Sequence, residues 1–232
     1  MIKIIVTTSW DDGHVLDIKL AELLRKYNIK GTFYISPENR EISQNERLTK
    51  EQIVELSKDF EIGAHTMTHP RLSKIDNETA RKEIITSKQT LENWLGVEVK
   101  SFCYPGGDYK PVHEKIVSDA GFSIARTVKC FSIDAGNNPF EMPTTVHVYH
   151  RWLDIIKIIK EVGLLNFISY YLNWDNLAIA MFDKVFKNGG VFHLWGHSWE
   201  IEKNKDWVRL ERVLKYISNR AKVTYEVNGK LI

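Results

Sequence analysis

Ile2-Lys3-Ile4-Ile5-Val6-Thr7-Thr8-Ser9-Trp10-Asp11-Asp12-Gly13 is a β-branched run that stops on two carboxylates and a glycine. Such a run, bounded by a turn signal, reads as a strand over residues 2–8 that delivers polar groups at its carboxyl end. The pattern recurs: residues 31–35, Glu61–Ala64, 101–104, 122–125, 190–194 and 223–227 read as further strands. Helical spacing fills the intervals. Residues 16–27 carry Ile18, Leu20, Leu23 and Leu24, and residues 49–58 start on the cap Thr49. Asn77–Leu95 stops at Gly96, residues 111–120 close on Gly121, and residues 207–219 form the last helix. Strands alternating with helices predict an α/β fold on a mostly parallel sheet or barrel.

The bulk numbers are compatible with one domain over residues 1–232, since 232 residues with 43% hydrophobic content suffice for a full core. A net charge of +2 argues against a nucleic-acid partner. Two cysteines, Cys103 and Cys130, make no disulfide framework and suggest a reducing compartment. The opening residues lack the pattern of a signal peptide, and no stretch approaches about 18 uninterrupted apolar residues. A soluble, cytoplasmic protein without a transmembrane span is expected. No internal repeat or linker stands out.

Residues 152–186 interrupt the rhythm. They are dense in Ile, Leu, Tyr and Phe and predict two helices. Covering the barrel is the simpler reading; a surface touching membrane or a lipid-linked substrate is the alternative. A dimer contact or a substrate lid also fits.

In a parallel α/β fold, ligands bind at the carboxyl ends of the strands. Asp11 and Asp12 follow the first strand, His65 follows Glu61–Ala64, Tyr104-Pro105-Gly106-Gly107 follows the fourth, and His197 follows residues 190–194. Four polar clusters thus fall on one face. In His65-Thr66-Met67-Thr68-His69-Pro70 the proline disfavours helix at His69, which predicts a turn folding both imidazoles toward one point. One carboxylate and two imidazoles would hold a divalent metal with coordination positions left open, the arrangement of a catalytic rather than a structural site. The second carboxylate is then available to take a proton from water. Taken singly, each motif has a plainer reading: Asp12 as a helix cap, the histidines as loop residues.

Together, Thr8-Ser9-Trp10-Asp11-Asp12-Gly13, His65-Thr66-Met67-Thr68-His69-Pro70, Phe102-Cys103-Tyr104-Pro105-Gly106-Gly107 and Leu194-Trp195-Gly196-His197 resemble the successive motifs of the polysaccharide deacetylase family, the fourth family of carbohydrate esterases. The resemblance runs from about residue 7 to 197, and its first two motifs are the specific ones. It implies a distorted (β/α) barrel, often of seven strands, that binds zinc or another divalent transition metal. Asp12, His65 and His69 would be the metal ligands and Asp11 the general base. The Gly106 N–H would help hold the oxyanion, and His197 would be the acid that protonates the leaving amine.

Two departures stand out. Family members often carry Arg at the position of Cys103, paired with the base; Arg126, at the next strand end, is the candidate replacement. The D-x-x-D-W stretch that orients the acid histidine is missing, leaving Asp134 or Glu200 as substitutes. His193 rivals His197 as the acid, but it lies within a strand, so His197 is favoured. His14, His147 and His150 are lesser candidates. Trp10, Tyr104, Tyr109, Trp195 and Trp199 surround the expected mouth, where aromatic faces would pack on sugar rings.

The expected activity is metal-dependent removal of an N-acyl group, acetyl above all, from an amino sugar in surface-polysaccharide or glycolipid metabolism. The substrate would be lipid- or nucleotide-linked. Hydrolysis of a cyclic amide or imide, and a non-catalytic carbohydrate-binding relative, are the alternatives. Two imidazoles and a carboxylate suit Zn, with Fe, Co, Ni and Mn also able to bind. Neither the sugar nor the oligomeric state is legible.

Overall fold

Strand β1 (Ile4–Asp12) is buried at every position, as expected of a central strand in a parallel sheet covered on both faces. The computed structural model describes residues 3–149 and 151–231, so Ile2 of the expected first strand and His150 lie outside the described residues. β1 runs four residues past the expected end and takes Asp11 and Asp12 into the strand itself. Its two buried threonine hydroxyls are satisfied: Thr7 Oγ1 donates to Asn228 Oδ1 (2.8 Å) and Thr8 Oγ1 to the Lys30 carbonyl (3.0 Å).

The chain continues through α1 (Asp17–Lys26), β2 (Thr32–Ile35), α2 (Lys50–Leu56), β3 (Glu61–Ala64), α3 (Asn77–Leu95), β4 (Ser101–Cys103), α4 (Pro111–Asp119) and β5 (Ile124–Arg126). Helix ends follow local chemistry. Thr49 and Gln52 form a reciprocal capping box on α2. Asp76 accepts from the Glu78 and Thr79 amides to start α3, and Gly96 in the left-handed region (φ 69°) ends it. Ala80, Ile84, Ser87 and Leu91 are the buried stripe of α3, spaced as one helix face requires.

Beyond β5 the regular alternation lapses. β6 (Val146–His147) is followed by three helices, α5 (Ile155–Val162), α6 (Phe167–Leu172) and α7 (Trp174–Asn188), rather than the two expected over residues 152–186. Gly163 (φ 82°) ends α5, and Asn173, in a non-helical conformation, separates α6 from α7. Then come β7 (Gly190–Gly196), α8 (Ser198–Asn204), α9 (Trp207–Ile217) and β8 (Val223–Tyr225).

Seven parallel strands in the order β5-β4-β3-β2-β1-β7-β6 form a curled half-barrel flanked by helices, a distorted (β/α) barrel. β8 adds an eighth strand alongside β1. The first residues of β1 pair with β8 and the last four with β2, so one strand serves two neighbours in succession. Residues 142–145 bridge β5 toward β7: Met142 N–H donates to the Ala125 carbonyl (2.9 Å) and Thr145 N–H to the His193 carbonyl (2.9 Å). This irregular segment stands where a full strand would close the barrel. All strands run the same way, so their carboxyl ends share one rim.

Candidate active site

Both acids at the end of β1 are buried. Asp12 takes φ 83° and Gly13 φ 73°, so the chain leaves the sheet sharply after Asp12. Asp tolerates the left-handed region better than most residues with a Cβ. The Asn39 side-chain amide donates to the Asp12 carbonyl (3.2 Å) and steadies this turn. As a result the two carboxylates meet different partners.

Asp11 meets a cation. Cys103 and Arg126 are register partners in the β4–β5 pair. The fully buried Arg126 donates from Nη2 to Asp11 Oδ1, and its guanidinium lies 4.7 Å from the Trp195 ring. Cys103 Sγ sits 3.7 Å from Asp11 Oδ2. The position where the resemblance led one to look for Arg therefore does touch this carboxylate, but through a thiol. The cation arrives from one strand over. Burial disfavours the guanidinium's charge, yet Asp11 holds it firmly protonated, while burial pushes the Cys103 thiol up and keeps it neutral.

Asp12 meets the histidines. His65 leaves β3 and its Nδ1–H donates to the Cys103 carbonyl (2.7 Å), which turns Nε2 inward with its lone pair free. Thr66 and His69 both adopt positive φ (63° and 64°), folding the segment back on itself. Glu83 of α3 fixes the turn by accepting from the Thr68 amide and hydroxyl, both at 2.8 Å. His65 Nε2 and His69 Nε2 end 3.2 Å apart. Asp12 Oδ1 lies 3.2 Å from His69 Nε2 and 3.7 Å from His65 Nε2. On the far side of His69, Nδ1 is 3.2 Å from the exposed Glu41 carboxylate.

This cluster fits a divalent metal. Asp12 Oδ1 is buried without a hydrogen-bond partner, while Oδ2 accepts from Trp199 Nε1 (2.9 Å). Two imidazole nitrogens at 3.2 Å repel unless a proton or cation lies between them. One donor atom from each of Asp12, His65 and His69 lies within 4.8 Å of the others. Burial, then His69, lowers His65 to about 4 and keeps it neutral, as a ligand must be. Burial alone would raise the Asp12 carboxyl, but His197, His69 and His65 outweigh it and hold it ionised. Asp11, His65 and Cys103 are equally close together. They are the poorer set, because Arg126 already pairs with Asp11 and the thiol is protonated.

Opposite this cluster stands His197, just beyond β7. Its Nε2 is 3.8 Å from Asp12 Oδ2, and its Nδ1–H donates to Glu200 Oε2 (2.5 Å) one turn into α8. Burial lowers its pKa, but Asp12 and Glu200 together raise it to about 9. Asp134 is exposed and accepts from the Gly136 amide (2.8 Å) in a surface turn, so Glu200 rather than Asp134 meets the histidine. His193 is buried within β7 against Ser9 Oγ (2.8 Å), and burial drives its pKa well down. His14 Nδ1 accepts from the Leu16 amide where α1 begins, and His147 pairs with Asp154 (2.7 Å). Trp10 is fully buried, its Nε1–H donating to Thr8 Oγ1 (3.0 Å), and does not line the cleft.

Asp11, Asp12, His65, His69, Gly106 and His197 line one cleft of about 400 Å³, with Arg126 buried behind Asp11. Gly106 has φ 59°, and the Arg71 guanidinium lies beside it. Trp195 and Trp199 reach the cleft, whereas Tyr104 is buried and stacks on Tyr109 (4.3 Å) away from it. Glu41, Arg71, Tyr149 and Arg151 also line it and were not foreseen. Arg71 directly follows His69-Pro70, a placement that could have flagged it. The others sit on irregular chain with no periodicity to read.

Comparison with known proteins agrees. Residues 2–125 match the family described as polysaccharide deacetylase. A peptidoglycan-N-acetylglucosamine deacetylase of Bacillus cereus is 30% identical over 125 residues, covering 52% of this chain and 43% of that protein. A bifunctional xylanase/deacetylase of Pseudobutyrivibrio xylanivorans is 26% identical over 102 residues, 44% of this chain and 16% of that one. The match thus spans less than half the length of each relative. Among solved structures, a family 4 carbohydrate esterase from Streptomyces lividans, in complex with acetate, superposes with TM-score 0.58 at 15% identity over 94% of this chain and 89% of that one. A Streptococcus pyogenes deacetylase, also with acetate, gives TM-score 0.55 at 22% identity over 59% and 62%. At these identities the superpositions establish a shared fold. With the family match spanning more than half of its residues, the chain belongs to the polysaccharide deacetylase family.

Proposed function

We propose that this chain is a metal-dependent hydrolase that removes an N-acyl group, acetyl above all, from an amino sugar. One observation carries the reading: a cation-paired carboxylate, a three-donor cluster and a carboxylate-held imidazole all converge on a single cleft. Asp12, His65 and His69 would hold the cation, and their two imidazoles and one carboxylate suit Zn. When bound, such an ion polarises an acyl carbonyl and makes water more acidic.

The remaining steps belong to the chain itself. Asp11 accepts the proton of the attacking water, and Arg126 keeps its carboxylate placed. The Gly106 N–H donates to the oxygen that gains charge, a contribution of about 2.7–4 kcal/mol where such a donor is preset. His197 gives a proton from Nε2 to the leaving amine, which is otherwise a very poor leaving group. Glu200 holds Nδ1 and so keeps Nε2 facing the cleft.

A volume of about 400 Å³ suits a sugar unit or two. Trp195, Trp199 and Tyr149 offer ring faces for sugar C–H groups. Arg71 and Arg151 add cations suited to a phosphate linkage, which supports a lipid- or nucleotide-linked precursor of surface polysaccharide or glycolipid. Two free thiols fit the cytoplasmic side.

The test is metal content of wild type, His65→Ala and Asp12→Ala, with acetate release from short N-acetylglucosamine oligomers on the same samples. Metal lost in both variants, with acetate released by wild type alone, supports the reading. Metal without acetate or a new primary amine keeps the site and moves the substrate to cyclic amides or lipid-linked sugars. No metal after reloading removes the hydrolase reading.

A further inference from the structure

Eleven large apolar side chains are strongly exposed among the described residues, and seven of them fall within residues 152–172. Trp152, Leu153 and Ile156 project at the start of α5, Leu164 and Leu165 from the connection, and Ile168 and Leu172 from α6. Leu165 is 97% exposed. Ile158 on the opposite side of α5 is buried, so the hairpin has one face in the core and a second apolar face turned outward. Soluble surfaces rarely expose apolar side chains this densely unless something covers them.

The charges around that face are cationic. Lys157 and Lys160 project from α5, and Arg151 precedes it. The nearby carboxylates leave a cationic excess: Asp154, buried against His147, lies 3.9 Å from both Lys157 and Arg151 and cannot neutralise both, and Glu161 accepts from Lys184 (2.6 Å). In a twofold contact between copies, each hairpin would meet its own like, setting Lys157 and Lys160 of one against those of the other. An anionic surface satisfies them instead. α5 is also too short to span a bilayer, and no described helix is long and apolar enough to cross one. Short amphipathic helices with a basic rim lie in the headgroup layer.

We propose that the outward face of α5–α6 docks on an anionic phospholipid bilayer. Arg151 and Tyr149, immediately before the hairpin, also line the catalytic cleft. Docking therefore sets the mouth of that cleft beside the headgroups. The docking itself does not depend on the hydrolase reading; only its use, presenting a membrane-borne sugar, does.

Sedimentation with vesicles tests it. Vesicles of phosphatidylcholine with about one-third phosphatidylglycerol should bind the wild-type chain, and pure phosphatidylcholine should bind it far more weakly. Ile156→Ser/Leu165→Ser/Ile168→Ser should abolish binding. Lys157→Gln/Lys160→Gln should weaken it roughly tenfold or more, as should high salt. These side chains are exposed, so the variants should keep the wild-type circular dichroism and the wild-type metal content. Failure of the wild type to bind either vesicle overturns the proposal. So does a concentration-dependent dimer in sedimentation velocity that the serine variant abolishes, since a second copy would then own the face. Neither readout uses turnover, so loss of docking and loss of the catalytic reading are told apart.

Discussion

In residues 4–126 the polar groups hang from strand ends that pair residue for residue, whereas in residues 139–204 they come from irregular chain and a short helix. Asp11, Asp12, His65, Cys103 and Arg126 are placed by the five successively paired strands β1 to β5. His197, Glu200, Tyr149 and Arg151 are placed by β7, the first turn of α8 and the run into α5. The first wall is rigid because moving one group means breaking a buried ladder. The second is assembled from local contacts that sequence can exchange more freely. The family match ends at residue 125, where the architecture changes.

The sharpest way to break this comparison is at the first wall. His65→Ala should cost both metal and about a thousandfold in kcat/KM, as loss of several kcal/mol of transition-state stabilisation requires. Arg126→Ala should destabilise the fold by about 3–5 kcal/mol, because it strands Asp11 as a buried unpaired charge. Arg126→Met with Asp11→Asn should recover much of that in urea unfolding, though not activity. If Arg126→Ala alone is benign, the rigid-wall account is wrong.

The second wall should give smaller numbers. Burial raises the Asp154 carboxyl, but the bond from His147, then Arg151 and Lys157, more than offset it, so its folded pKa lies below the unfolded one. Its stabilising contribution is then present above the ordinary carboxylate range and fades as pH falls through the lowered value. Asp154→Asn should cost about 1.5–3 kcal/mol at pH 7 and progressively less toward pH 3, by urea midpoints. Glu200→Gln should lower kcat roughly tenfold with KM little changed, a fraction of what proton transfer contributes. An equal loss in KM would make Glu200 a binding group instead. Gly106→Ala should be the mildest, costing about 1 kcal/mol for a Cβ at φ 59°, with the backbone donor intact.

Some errors of reading share one cause. The extension of β1 through Asp12 and the third helix in residues 152–186 both follow from contacts that periodicity does not report. β2 pairs with the last four residues of β1 and draws the two acids into the sheet. Trp174, fully buried, anchors the start of α7 and forces the break at Asn173.

By itself the sequence determined the alternation of strands and helices, the caps on α2 and α3, and the Asp-Asp-Gly and His-x-x-x-His-Pro signals. Each depends on residues within one turn or one strand of each other, so local sterics and hydrogen bonding suffice to specify it. Only the tertiary structure decided that Arg126 stands across from Cys103, that Glu200 rather than Asp134 holds His197, and that Trp199 takes one oxygen of Asp12 while leaving the other free. Those pairings join residues far apart in the chain, and strand register and the curl of the barrel, not local propensity, bring them within bonding distance.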